Sequence, residues 1–320
     1  MSTRRDQYKS DDNKFPYYMG WDSHEIIASE LAKFSCLKHS SVKVEFHPLQ
    51  QHVLRAKGIY KKPLDKKQNT EFTYLRFLVP FLNNYEGWAL FTDDDMFWRA
   101  DIGDLIDLID DKYAVMCVKH SPDVKCLADT KLAGVPQEMY PRKNWSSVML
   151  INCAHPATKK LTPELVATAS PAYLHRMYWA VNEGAEQDDE TLIGELPSQW
   201  NWLVDWYPRN TAAAAKLVHF TDGGPWYPDY RTRVNDDGSV GVDHQDEWLE
   251  QLKEYEKTLD KPRLLGPYEL FSTHTPRSKS LPGYANSNDT WSWDDDEKWQ
   301  EHVKNTLLKD QLDAIANAAK

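Results

Sequence analysis

Apolar and polar positions alternate in a pattern that changes period several times along the chain. Phe15–Met19 is a short apolar run that stops at Gly20, as a buried strand does. Ser23 then precedes Glu25 to His39, where Ile26, Ile27, Leu31 and Phe34 recur at helical spacing. Val42–Phe46 alternates like a strand, and Thr70–Leu82 returns to helical periodicity through Phe72, Leu75, Phe77, Leu78 and Val79. Gly87–Thr92, Ala114–Val118, Ser147–Ile151 and Leu217–Phe220 are short apolar runs that suit buried, largely parallel strands, with a short helix over Ile102–Ile109 between the first two. Alternation of strands and helices predicts an α/β fold: a mixed, mostly parallel sheet flanked by helices. Asp246–Leu259 reads as a charged helix and Glu297–Ala319 as an amphipathic one, separated by a Pro-, Ser- and Asn-rich stretch. The expected organisation is a flexible, polar N-terminus over 1–14, a catalytic-type domain over 15–234 and a C-terminal extension with helices over 235–320.

Composition narrows the choice. The chain has 320 residues, 38 Lys plus Arg against 49 Asp plus Glu, and a formal net charge of −11. Such a balance argues against nucleic acid as a partner, which needs a clustered positive field. No stretch reaches the ~18 apolar residues of a membrane span. The charged first fourteen residues lack an apolar signal core, so the expectation is a cytoplasmic protein. Cys36, Cys117, Cys126 and Cys153 are scattered and read as reduced, buried thiols. The 13 Trp, many of them beside acids and His, suit a protein that handles sugars, although Trp also serves ordinary cores.

The candidate chemistry begins at Phe91-Thr-Asp93-Asp94-Asp95-Met-Phe-Trp98. Open α/β sheets bind ligands beyond the carboxyl ends of their strands. Three acids there concentrate negative charge, and alternation lets Asp93 and Asp95 converge while Asp94 faces elsewhere or binds another group. Two convergent carboxylates suit a hard divalent cation shared with phosphates. Leu217-Val-His219-Phe-Thr-Asp-Gly223-Gly224-Pro-Trp226 adds an imidazole at the end of another strand, then two glycines that let backbone approach a phosphate.

These residues resemble the nucleotide-sugar glycosyltransferases of the GT-A fold, most closely glycosyltransferase family 8. Five places match in order: Met19-Gly-Trp-Asp22-Ser; Thr73-Tyr-Leu-Arg76-Phe-Leu-Val-Pro80; Asp93-Asp-Asp95; Trp145-Ser-Ser-Val-Met-Leu-Ile-Asn152, similar to the family's N-S-G-V-M-L-I-N strand; and His219 to Trp226, similar to its H-Y-x-G-x-x-K-P-W motif. The matches cover roughly residues 15–230. The resemblance implies a GT-A-like, Rossmann-type domain that moves a sugar from a nucleoside-diphosphate donor, uridine-linked, to an acceptor hydroxyl with retention of configuration. It implies Mn2+ or Mg2+ held by Asp93, Asp95 and His219. Asp22, Arg76, Asp94, Gly223 and Gly224 are the implied donor-binding residues, and Asp188, Asp189 and Glu190 the catalytic acids. A glycan or other hydroxyl-bearing acceptor is the second partner, and the reading admits a homodimer through the C-terminal region.

Two departures stand out. Gly224 occupies the place of the family's Lys, so the diphosphate needs another cation; Lys216, Arg231 and Arg142 are the candidates. The family's D-Q-D segment is displaced, as Glu186-Gln-Asp188-Asp189-Glu190. Alternatives are a sugar-nucleotide-binding protein without turnover and an inverting enzyme using an acid of 186–190 as general base. A nucleotidyltransferase is disfavoured, because Gly-Trp-Asp-Ser-His-Glu replaces the glycine-rich basic loop it would need after the first strand.

Overall fold

The computed structural model describes residues 3–63, 68, 70–124, 130–131, 135–136, 140–235 and 237–258. The predicted Glu297–Ala319 helix, Cys126 and most of the 235–320 extension lie outside them. In chain order the elements are β1 (Phe15–Gly20), α1 (Ile26–His39), β2 (Val44–Leu49), α2 (Gln51–Ala56), α3 (Val79–Leu82), β3 (Trp88–Thr92), β4 (Met96–Trp98), α4 (Ile102–Ile106), β5 (Val115–Cys117) and the small hairpin β6 (Thr130–Lys131) and β7 (Val135–Pro136). Then follow β8 (Val148–Asn152), α5 (Pro163–Thr168), α6 (Pro171–His175), β9 (Ile193–Glu195), β10 (Trp202–Leu203), β11 (Leu217–His219), α7 (Pro228–Thr232) and α8 (Gln245–Glu256).

Six strands form the main sheet in the order β2-β1-β3-β8-β5-β9. All are parallel except β8, which runs against β3 and β5. The expected α/β architecture is therefore present. Every residue of β3 and β5 is buried. Strands covered on both faces lose polar alternation and become continuous apolar runs, which is why Trp88-Ala-Leu-Phe-Thr92 reads as it does. On one face Phe91, Met149 and Ile151 pack with Phe72, Leu75, Phe77 and Leu78. On the other, Leu90 and Leu150 pack with Tyr17, Trp98, Ile102 and Ile106. A second sheet, β10-β11-β4, lies over a third cluster built by α1 and Trp226.

Three expectations change. Thr70–Leu82 is not one helix: a 3-10 turn over Leu75–Leu78 leads into the single turn of α3. Pro80 has no N–H to offer the carbonyl four residues back and its ring crowds that carbonyl, so no α-helix can run through. The N-terminus is not loose: Arg4–Tyr8 forms a 3-10 helix, and the Arg5 guanidinium reaches Asp101, Asp107 (2.5 Å) and Asp104 around α4. The amide of Lys43 also donates to the carbonyl of Tyr8 at 2.7 Å. Nor does position 234 separate domains, because Val242, Trp248, Leu252 and Tyr255 join one cluster with Ile26, Ile27, Leu31 and Trp226. An amphipathic helix is stable where its apolar stripe finds cover, and α8 finds it on α1.

The aromatic signal also resolves differently. Every tryptophan among the described residues, from Trp21 to Trp248, is buried, and Trp98, Trp179, Trp200 and Trp248 are wholly so. They build cores. Cys36, Cys117 and Cys153 are free and buried as expected.

Candidate active site

The chain leaves the main sheet at the end of β3 and enters the second sheet at β4, so the acidic triplet spans the joint. Asp93 extends β3 by one rung, its amide donating to Ser147 O at 2.9 Å. β11 runs antiparallel to β4 with His219 opposite Met96, and the amide of Phe220 donates to Asp95 O at 3.0 Å. This register carries a histidine 124 residues downstream of Asp95 to its side: His219 Nε2 lies 3.2 Å from Asp95 Oδ1. Asp93, Asp95 and His219 each offer one ligand atom, all within 4.8 Å of one another. Ligands on one divalent ion at about 2.0–2.4 Å each sit at most about 4.8 Å apart, so the separation fits. The donor set, two carboxylates and an imidazole, suits Mn2+ or Mg2+ better than a thiolate-seeking metal.

Two of these three side chains, Asp93 and His219, are held from behind. Arg76 forms an ion pair with Asp93, 2.8 Å to Oδ1, and donates to Ser146 O at 2.8 Å and to Thr73 O at 3.0 Å. Its guanidinium lies 5.0 Å from the Phe91 ring and 5.4 Å from that of Phe72. Expected to face a donor, it lies against the Asp93 carboxylate. His219 Nδ1 lies 2.9 Å from Asn201 Oδ1, and the Asn201 amide nitrogen lies 2.8 Å from Ser147 Oγ and 3.0 Å from His120 Nε2. Burial pushes His120 down to about 3, with a smaller push from His219, so its ring is neutral.

Asp94 points away into the protein. It is 1% exposed, and its Oδ2 accepts from the amide of Asp22 at 2.9 Å. Burial first, then Glu25 and the neighbouring acids, hold its carboxyl well above the usual carboxylate range. Such a group organises the turn after β1. Asp22 is equally buried; its Oδ1 accepts from the amide (2.9 Å) and ring (2.7 Å) of His24, and its Oδ2 from the amide of Glu71 at 3.2 Å. Asp22, His24 and Glu71 form a second group with ligand spacing. Burial, then the Asp22 charge, raises Glu71 to about 7.

The glycines after His219 serve packing. A Cβ on Gly223, whose φ is +129°, would lie 2.6 Å from the Tyr230 ring, and one on Gly224 would overlap Trp226. Aromatic rings therefore fill the room that side chains at these two positions would need. The acids of 186–190 are not drawn into the Asp93–Asp95–His219 group. Asp188 is exposed, Asp189 accepts from the amide of Thr191 at 2.7 Å, and Glu190 pairs with Lys119 (2.8 Å) and Arg142 (3.4 Å). Arg142 also donates to the carbonyls of Arg176 and Asp188, both at 2.5 Å. Lys216 sits at the start of β11, the far end from His219, over the Trp200 ring. Lys143, which sequence reasoning missed, is buried with its ammonium 5.0 Å from the Trp206 ring, whose indole N–H donates to Asp222 Oδ2 at 2.8 Å.

No family model matches the chain. Protein CDI of Arabidopsis thaliana is 41% identical over 251 residues, covering 78% of this chain and 90% of that protein. The chain belongs to the Protein CDI family. Solved structures similar to this CDI-family chain include the bifunctional glycosyltransferase WbbM (TM-score 0.45, 17% identity, 78% of this chain) and GlyE of Streptococcus pneumoniae (0.43, 15%, 75%). The CDI-family chain spans 52% of WbbM and 60% of that GlyE structure. It also aligns with the galactosyltransferase LgtC, solved with donor and acceptor sugar analogues (0.44, 13%, 77% of this chain and 97% of LgtC). No helix among the described residues is long and apolar enough to cross a membrane.

Proposed function

We propose that this chain is a metal-dependent glycosyltransferase that moves a sugar from a uridine-diphosphate donor to an acceptor hydroxyl with retention of configuration. The observation that carries this reading is the convergence of Asp93, Asp95 and His219 where the main sheet hands over to the second sheet. Clefts beyond the carboxyl ends of strands are where α/β sheets take nucleotides, and the ordered sequence resemblance points the same way. Asp93, Asp95 and His219 would hold Mn2+ or Mg2+. Bound there, the ion supplies charge neutralisation to a departing diphosphate.

The protein's own groups prepare that site. Arg76 fixes Asp93 before any ligand arrives, so no side-chain entropy is lost when the carboxylate is used. The exposed Asp188 is the acid we assign to the sugar hydroxyls, since Glu190 is already paired with Lys119 and Arg142. Lys143, against the Trp206 ring that bonds Asp222, is the cation we assign beside the closing loop, where the family's Lys is replaced by Gly224.

The test is release of nucleoside diphosphate from a panel of nucleotide sugars with Mn2+ or Mg2+, followed by anomeric assignment of the product. Donor-dependent release that disappears with chelator supports the proposal. Tight binding of uridine diphosphate with no cleavage of any donor, under water or a broad acceptor panel, would instead make the chain a binding protein. Loss of the metal requirement would remove Asp93, Asp95 and His219 from the reading.

A further inference from the structure

We infer that Asn201 is a positioning residue that sets the tautomer of His219, so that Nε2 presents its lone pair to the metal site. The inference rests on the proposed metal site and adds a residue that resemblance did not assign. Asn201 is wholly buried between Trp200 and Trp202, an expensive place for an amide unless all its groups are used.

Its orientation follows from donor counting. Ser147 has one hydroxyl hydrogen, and that hydrogen is committed to Asn144 O, an acceptor only, at 2.6 Å. Ser147 Oγ can therefore only accept from Asn201 at 2.8 Å, which requires the NH2 end of the amide on that side. The same NH2 faces His120 Nε2 at 3.0 Å, while His120 Nδ1 lies 2.7 Å from Tyr207 OH. With the NH2 so fixed, Asn201 Oδ1 must be the atom 2.9 Å from His219 Nδ1. A carbonyl oxygen cannot donate, so Nδ1 carries a proton; Nε2, 3.2 Å from the Asp95 carboxylate, is the nitrogen left to bind when a metal takes that carboxylate. Flipping the amide would set two acceptors against Ser147 and strand a buried hydroxyl lone pair. Carbonyl and carboxylate partners behind metal-binding histidines act in this way.

The tautomer is read in the metal-free full chain by long-range proton–nitrogen correlation of the His219 ring at mildly alkaline pH, assigned with His219→Gln. Affinity is read by titration with Mn2+ alone. The wild type should show Nδ1–H. Asn201→Ala should admit the Nε2–H form and weaken Mn2+ binding about 10- to 100-fold. Asn201→Asp, which keeps an acceptor for Nδ1–H, should hold the tautomer and recover most of the affinity. A wild type whose Nδ1 is unprotonated overturns the inference without any variant, and so covers a failure of Asn201→Ala to fold. An Asn201→Ala protein with unchanged tautomer, or with unchanged Mn2+ affinity, overturns it as well. So does an Asn201→Asp protein that keeps the tautomer yet binds as poorly as Asn201→Ala. If the wild type bound no Mn2+, the functional proposal would lose its metal and this inference its purpose; the ring spectrum would still report whether Asn201 sets the proton.

Discussion

Replacing Arg76 with Met tests whether the proposed metal site is held together before any ligand binds. The substitution keeps an apolar stem between Phe72 and Phe91 but removes the guanidinium, which is 5% exposed. An ion pair with Asp93 (2.8 Å) goes with it, and two hydrogen bonds, to Ser146 O (2.8 Å) and Thr73 O (3.0 Å). Bonds to charged groups are worth about 1.5–3 kcal/mol each, but they share one cation and do not add. Breaking a buried pair by removing one partner costs about 3–5 kcal/mol, chiefly from the charge left behind. We therefore expect a loss of about 3–5 kcal/mol, read as a lower urea midpoint at unchanged slope by tryptophan fluorescence. Arg76→Lys should recover less than half, because one ammonium cannot serve three acceptors in the fork geometry that guanidinium supplies. A loss below about 1 kcal/mol for Arg76→Met, or wild-type stability for Arg76→Lys, would refute the clamp.

Further outcomes follow from individual contacts. Asp95→Asn and His219→Ala should each abolish Mn2+-dependent uridine diphosphate binding in calorimetry; wild-type affinity in both would sink the metal assignment. Gly224→Ala should destabilise by about 1–3 kcal/mol through overlap with Trp226, and a midpoint shift near zero would show that the ring can yield. Burial holds His175 neutral by lowering it to about 3, against 6.5 in the unfolded chain. The unfolded state binds the extra proton, so this contribution is complete above about pH 6.5 and is lost as pH falls towards 3. In that window His175→Gln should flatten the pH dependence of stability by about 1.4 kcal/mol per pH unit. Identical slopes for variant and wild type from pH 6 to 4 would contradict it.

Much of the scaffold was legible along the chain because the central strands are covered on both faces. Trp88–Thr92 and Val148–Asn152 announce themselves as apolar runs. The grouping of Asp93, Asp95 and His219 was legible for a related reason: acids and a histidine beside buried strands are costly unless they serve a ligand or each other. Local rules also failed where a neighbour distant in sequence decided the outcome. Periodicity marked Phe72 to Val79 as buried, yet Pro80 fixed how the backbone delivered them. Arg5 looked like part of a loose tail until three aspartates around α4 collected it.

By itself, then, the sequence determined which segments are buried, the α/β alternation and the identities of Asp93, Asp95 and His219 as a candidate set. Tertiary structure alone decided that Asp94 turns inward to Asp22, that Arg76 serves Asp93, that the two glycines make room for Trp226 and Tyr230, and that Asn201 backs His219. The physical reason is range. Burial and backbone preference are written in a residue and its near neighbours, whereas hydrogen-bond partners and ring contacts depend on strand register. The pairing of β4 with β11 joins residues more than a hundred positions apart, with no local signal to mark it.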